Sequence, residues 1–128
     1  MIDLNKLYTN DQELIEINNT YELPKELIID ERIKKLSPLK VEGEITLLKD
    51  EDLEDKVYIN CTINGTMYIE DSITLDIVPY EFNIEYDDYL EEIYQNNQNK
   101  LDIFPFLWEN IELEVPIRYT ESEEKEWI

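Results

Sequence analysis

The sequence predicts an α+β fold: an antiparallel β-sheet, or a partly open barrel of long bent strands, with a C-terminal helix packed on it. Three observations carry that reading. Apolar residues recur with a period of two through the middle of the chain, as a strand with one buried face requires. Late in the chain, Ile103, Phe104, Leu107, Trp108 and Ile111 repeat at helical spacing instead. No internal repeat and no Pro/Gly/Ser linker divides the 128 residues, so 1–128 reads as one domain.

The elements follow in order. The first 38 residues are the least legible. Leu14, Ile15 and Ile17 suggest a strand, and 23–36 reads as a short helix or an irregular arm. Leu39, Val41, Ile45 and Leu47 share one parity with Gly43 between them, which makes a half-buried strand. The charged stretch 49–56 reads as an exposed connection. Val57, Ile59, Cys61 and Ile63 then alternate with polar residues and lead into Asn64-Gly65, a strong hairpin signal. Parity argues against a turn there. A two-residue turn puts Met67 and Ile69 on the face opposite Ile59 and Ile63, whereas one continuous strand bent at Gly65 buries all of them together. The reversal is therefore expected at Glu70-Asp71-Ser72. Ile73, Leu75 and Ile77 open the next strand, whose phase changes to Tyr80, Phe82 and Ile84 at Pro79, a sign of a bulge or an edge. The segment 86–100 reads as a polar loop with one or two helical turns around 90–94. Asp102 is placed to cap the late helix, and Pro105 falls in its first turn. Pro116 ends that element, 117–119 can form a last short strand, and 120–128 is an acidic tail.

Charge narrows the function classes. Thirty-two Asp and Glu face eleven Lys and Arg, a formal charge of −21, and His is absent. Such a surface repels nucleic-acid phosphates and anionic lipid head groups and favours basic partners, although surplus carboxylates also serve plain solubility. One Cys suits a reducing cytosol. No apolar run reaches membrane-span length, and Met1-Ile2-Asp3-Leu4 lacks the basic start of a signal peptide, so a cytoplasmic protein is expected.

Catalysis has no constellation to rest on: no His, no Gly-rich phosphate loop, no zinc-ligand spacing. No catalytic residue, cofactor or metal is expected. Cys61 shares parity with Ile59 and Ile63 and reads as a core residue before a reactive thiol. The acids of 50–55 read as a solvated loop before a calcium site, since the turn-forming Gly of an EF-hand loop is missing. Phe104 and Trp108 read as core. Tyr86, Tyr89 and Tyr94 lie among acids in a polar segment, where a packed core is not expected. They suit contact with a basic surface, or they anchor the segment to its own domain.

From about Leu36 to Pro116 the chain resembles a known family. The matching segments are Leu36-Ser37-Pro38-Leu39-Lys40-Val41-Glu42-Gly43, Ile63-Asn64-Gly65-Thr66-Met67 and Val78-Pro79-Tyr80-Glu81-Phe82-Asn83-Ile84-Glu85. Leu101-Asp102-Ile103-Phe104-Pro105, Glu109 and Val115-Pro116 complete the set. In order and spacing they are similar to the YceD family, the large ribosomal RNA subunit accumulation proteins. The resemblance implies a bacterial cytosolic, non-enzymatic protein that supports accumulation of large-subunit ribosomal RNA and ribosome assembly. Two departures stand out. Members often carry a Cys and an Arg in the segment matching Asp71-Ser72-Ile73, and many have a longer C-terminal tail than the one ending here at Ile128. Asp71 and Ser72 join the three tyrosines as expected interaction residues. Charge then selects the partner: a basic ribosomal protein or the assembling large subunit, not rRNA gripped directly. The alternative is an acidic mimic of nucleic acid that inhibits a DNA- or RNA-binding enzyme, which should display carboxylates in two regular rows.

Overall fold

A computed structural model of the chain describes residues 2–8, 14–48, 56–91, 94–95 and 100–116. In chain order the elements are β1 (Ile2–Asp3), α1 (Asn5–Tyr8), β2 (Leu14–Tyr21), β3 (Ile33–Leu36), β4 (Leu39–Leu48), β5 (Lys56–Glu70), β6 (Ile77–Tyr89), β7 (Lys100–Leu101) and α2 (Ile103–Glu112). The charged connection 49–55 and everything after Pro116, with the expected strand at 117–119 and the tail, lie outside the described residues.

The sheet is organised around β5. All of β6 pairs antiparallel along one of its edges, from Tyr58↔Tyr89 to Glu70↔Ile77 without a break in register. Along the other edge β4 pairs with the first half, Leu48↔Lys56 to Lys40↔Asn64, and β3 with the second half at Ile33↔Ile69, Lys35↔Tyr68 and Leu36↔Met67. Ser37 bridges the change of partner: its N–H donates to the Thr66 carbonyl at 2.9 Å, and its Oγ accepts the Thr66 N–H at 2.9 Å. β2 adds to the far side of β4. The sheet stays open, with β2 and β6 at its margins, and does not close into a barrel.

Parity on β5 sorts the residues. Val57, Ile59, Cys61, Ile63, Met67 and Ile69 are buried on one face. No turn forms at Asn64-Gly65, because a single register buries the whole apolar set. Gly65 has a packing reason: a Cβ there would lie 2.7 Å from Leu39 Cδ2 and 2.9 Å from Phe82 Cζ. Gly43 is more constrained. Its Cβ would overlap the Asn60 carbonyl oxygen and stand 2.5 Å from Cys61 Cα, both main-chain atoms of β5.

The helix α2 covers the apolar face. Ile103, Phe106, Leu107, Trp108 and Ile111 are its buried residues. Phe104 sets its ring edge-on to Tyr21 of β2 at 6.2 Å, and Phe106 does the same to Tyr86 of β6 at 4.9 Å. The helix is thereby tied to both margins of the sheet. Leu4 and Leu7, beside and within α1, enter the same core, and β1 pairs with β7 just ahead of α2.

Several expectations need correction. The strand after the reversal begins at Ile77, not Ile73, because Asp71 folds 71–76 into a turn. Of the two readings of Pro79 the edge holds and the bulge does not: β6 is an edge strand, where proline is tolerated, and its register with β5 is unbroken. Residues 86–89 continue β6 instead of forming a loop. The arm 23–36 holds a single 3-10 turn, Lys25–Leu27, and then β3. On α2, Phe106 is fully buried and Phe104 only half so. Asp102 occupies the cap position, but its carboxylate accepts no capping hydrogen bond from the helix.

The two glycines should respond differently to a methyl group. Gly43→Ala forces main chain apart and should cost about 1–3 kcal/mol, as overpacking does. Gly65→Ala meets side-chain ends that can yield, so its cost should be smaller. Urea denaturation of the two variants checks the order.

Candidate functional site: the open face of the sheet

Alternation gives the second face of the sheet to the residues between the buried ones. On β5 these are Tyr58, Asn60, Thr62, Asn64, Thr66 and Tyr68, a neutral central rank. The neighbouring strands are acidic. Register places Glu44 and Asp87 on either side of Asn60, and Glu42 and Glu85 on either side of Thr62. Glu16 of β2 stands directly opposite Glu44. These five carboxylate residues are exposed. Strands two apart lie roughly 10 Å from each other, so the acids form two short ranks flanking a neutral strip. Lys40 and Asn83 follow next in the register and break the ranks, and on β6 the exposed Glu81 comes after Asn83 on the same face.

The face has a shallow depression of about 460 Å³ beside Glu16, Glu42, Glu44, Asn60 and Thr62. Lys40 Nζ reaches Glu42 at 2.9 Å, but both side chains are exposed and such pairs contribute little. Glu16 opposite Glu44 is a like-charge cross-strand pair, which weakens a sheet. At the end of the acidic band Tyr58 and Tyr89 meet edge to face, centroids 5.5 Å apart, with Lys56 Nζ 5.6 Å from the Tyr89 ring. The Tyr58 hydroxyl donates to Asp87. That carboxylate holds the phenol protonated and pushes its pKa up to about 12.

The five residues singled out from sequence do not gather. Tyr89 is on this face and 48% exposed. Tyr86 points the other way, onto Phe106, and its hydroxyl donates to the Tyr89 carbonyl at 2.9 Å. Tyr94 is 5% exposed, packs edge-on to Phe106 at 5.6 Å, and donates to the Glu109 carboxylate. Burial first, then that carboxylate, raises its phenol well above the usual range. Tyr86 and Tyr94 are thus anchors of the domain. Asp71 is buried and organises a turn, while Ser72 is exposed beside it at the opposite end of the β5–β6 hairpin from Tyr89. Sequence reasoning missed Tyr58, Glu16, Glu42, Glu44, Glu85 and Asp87. Parity held part of the signal, since Tyr58, Glu16, Glu42, Glu44 and Glu85 are each out of phase with a buried neighbour, but which acids lie side by side follows only from the register.

Cys61 lies beneath the face, 2% exposed, its thiol pushed up to about 11 by burial. Among the described residues no group of three or more His, Cys, Asp or Glu side chains is arranged to hold a metal ion. The acids of 50–55, read as a solvated loop before a calcium site, lie outside them. Three lysines gather elsewhere: Lys25, Lys34 and Lys35 line a groove of about 520 Å³ together with Glu22, Leu23, Ile28 and Ile33.

The chain is similar to the uncharacterized protein YlbN of Bacillus subtilis strain 168. The two are 29% identical over 132 residues, an overlap that takes in 94% of this chain and 73% of that protein. No family model matches the chain, and no solved structure matches it. No helix among the described residues is long and apolar enough to cross a membrane.

Two outcomes follow from these electrostatics. Glu44→Gln should remove the clash with Glu16 and stabilise the domain by about 0.2–1 kcal/mol, an effect that shrinks with added salt. The raised Cys61 and Tyr58 values mean that their protonated forms are favoured by folding. Their contribution is therefore present below the unfolded values, near 9 and 10, and declines as pH rises towards 11–12. The Cβ chemical shift of Cys61, followed by NMR through an alkaline titration, should move near pH 11 in the native protein and about two units earlier in urea.

Proposed function

We propose that this chain is a non-enzymatic, YceD-like factor of the bacterial cytoplasm that supports large-subunit ribosomal RNA accumulation by binding a basic ribosomal protein. The observation that carries the reading is the exposed band of Glu16, Glu42, Glu44, Glu85 and Asp87 on the face opposite α2, bordered by Tyr58 and Tyr89. Carboxylates lined up against one another are held at a cost to the free protein, and a lysine- or arginine-rich surface relieves that cost on binding. The tyrosines add area that stays apolar on one side and hydrogen-bonded on the other. The rRNA link rests on the family resemblance; the protein-mediated route rests on charge, since a chain at −21 has few cations with which to neutralise phosphates.

Nucleic-acid mimicry is the weaker reading. It asks for two extended, regular rows of negative charge, and the ranks here are short and broken at Lys40 and Asn83.

Binding of the purified chain to individual large-subunit ribosomal proteins and to protein-free 23S rRNA separates these routes. Micromolar or tighter affinity for a basic ribosomal protein, weakening at least tenfold between 50 and 300 mM salt (roughly, for several contacts), is the expected result. Affinity for naked rRNA with none for the proteins would overturn the proposal.

A further inference from the structure

The far end of the β5–β6 hairpin carries an apolar tip that the fold does not use. Ile73, Leu75 and Ile77 fall within five residues and remain 45%, 65% and 51% exposed. Isolated apolar residues on a surface are ordinary, but three large aliphatic side chains on one turn form a patch.

The turn is built rigidly. Asp71, 2% exposed, turns its Oδ1 to accept the N–H groups of Ile73 at 2.8 Å and Thr74 at 3.1 Å. The Leu75 N–H donates to the Asp71 carbonyl at 2.9 Å, and the Asp71 N–H to the Asp76 carbonyl at 2.8 Å. Thr74 Oγ1 accepts the Asp76 N–H at 3.3 Å. This network forces Leu75 to φ 64°, the left-handed region that favours glycine, and among the described residues it is the one non-glycine there. A leucine in that conformation is strained, and its side chain gains nothing from the core. Glycine would hold the same turn with less strain. Preorganised strain of this kind points to a surface made for contact.

Charge identifies what fits it. Glu70 and Asp76, both exposed, flank the tip in the chain. An apolar knob flanked by carboxylates matches an apolar cleft rimmed by Lys or Arg. We propose that Ile73, Leu75 and Ile77 form a preorganised anchor that inserts into such a cleft on the basic partner, which deepens the function proposed above and rests on it. Eight to ten residues of β6 separate the tip from Glu85 and Asp87. At strand rise that is roughly 30 Å, the span of a small protein domain, so one partner can engage both. The two contacts have different work: the acidic band speeds encounter, and the anchor slows release.

The test uses the full chain immobilised against individual proteins extracted from purified large ribosomal subunits, with rates read by surface plasmon resonance. For a protein that the wild type binds, Leu75→Gly should weaken affinity about 10- to 100-fold, mainly by faster dissociation. The salt dependence of association should not change. The same variant should melt about 2–4 °C higher, because strain is removed. Gain of stability with loss of binding is a combination that a purely structural residue cannot give. Ile77→Thr, which keeps a β-branched residue in the strand, should weaken binding in the same direction. Unchanged affinity in both variants would overturn the anchor and leave the basic-partner reading standing. No binding of any large-subunit protein by the wild type would overturn both.

Discussion

The structure depends on one constraint, the single uninterrupted register of β5. Fifteen residues run straight through Asn64-Gly65, and every odd position from Val57 to Ile69 faces the core. A turn at Asn64-Gly65 would send Met67 and Ile69 to solvent, and burying one such side chain is worth roughly 1.5–3 kcal/mol. Local turn preference is far smaller than that sum. Once β5 is fixed, its neighbours follow: β6 along one edge, β4 and β3 in succession along the other, with Ser37 joining their backbones to Thr66. Gly43 and Gly65 then sit where the chain comes closest to itself.

The same register that buries one face dictates the other. Whatever occupies the even positions must meet solvent or a partner, and the flanking strands fill that space with carboxylates. Their repulsion is tolerated because the core is secured independently, by α2 bridging Tyr21 and Tyr86 across the sheet. On the proposed reading, stability and recognition are divided between two faces of one sheet. The strained Leu75 at the hairpin tip has the same character: the buried Asp71 carboxylate supplies the rigidity, and the exposed aliphatic residues add none.

Much of this was legible in the residues. The long strand through Gly65, the strands at Leu14–Tyr21 and Leu39–Leu48 and the late helix all announce themselves by period. β1, β3 and β7 do not, because two to four residues are too few to show one. The end of β6 was hidden for a different reason. Tyr86 is its only apolar residue facing inward beyond Ile84, and the intervening Glu85, Asp87 and Asp88 look like a loop. The turn at 71–76 misled through propensity, since Ile73 and Leu75 read as strand formers until the Asp71 hydrogen bonds are seen. At the candidate site, Tyr89 was legible as a surface aromatic. The acids were not: with thirty-two Asp and Glu in the chain, no pair stands out until register brings them together.

The central claim is that the face opposite α2 is where a basic protein sits, and carboxylate footprinting tests it most directly. Carbodiimide coupling to glycine ethyl ester, with and without a saturating basic ribosomal partner, reports each Asp and Glu by mass spectrometry. The account predicts protection of Glu16, Glu42, Glu44, Glu85 and Asp87, with Glu91 and Glu112 labelled equally in both states. Protection of Glu112 with the sheet carboxylates unchanged would place the partner on the helical side and contradict it.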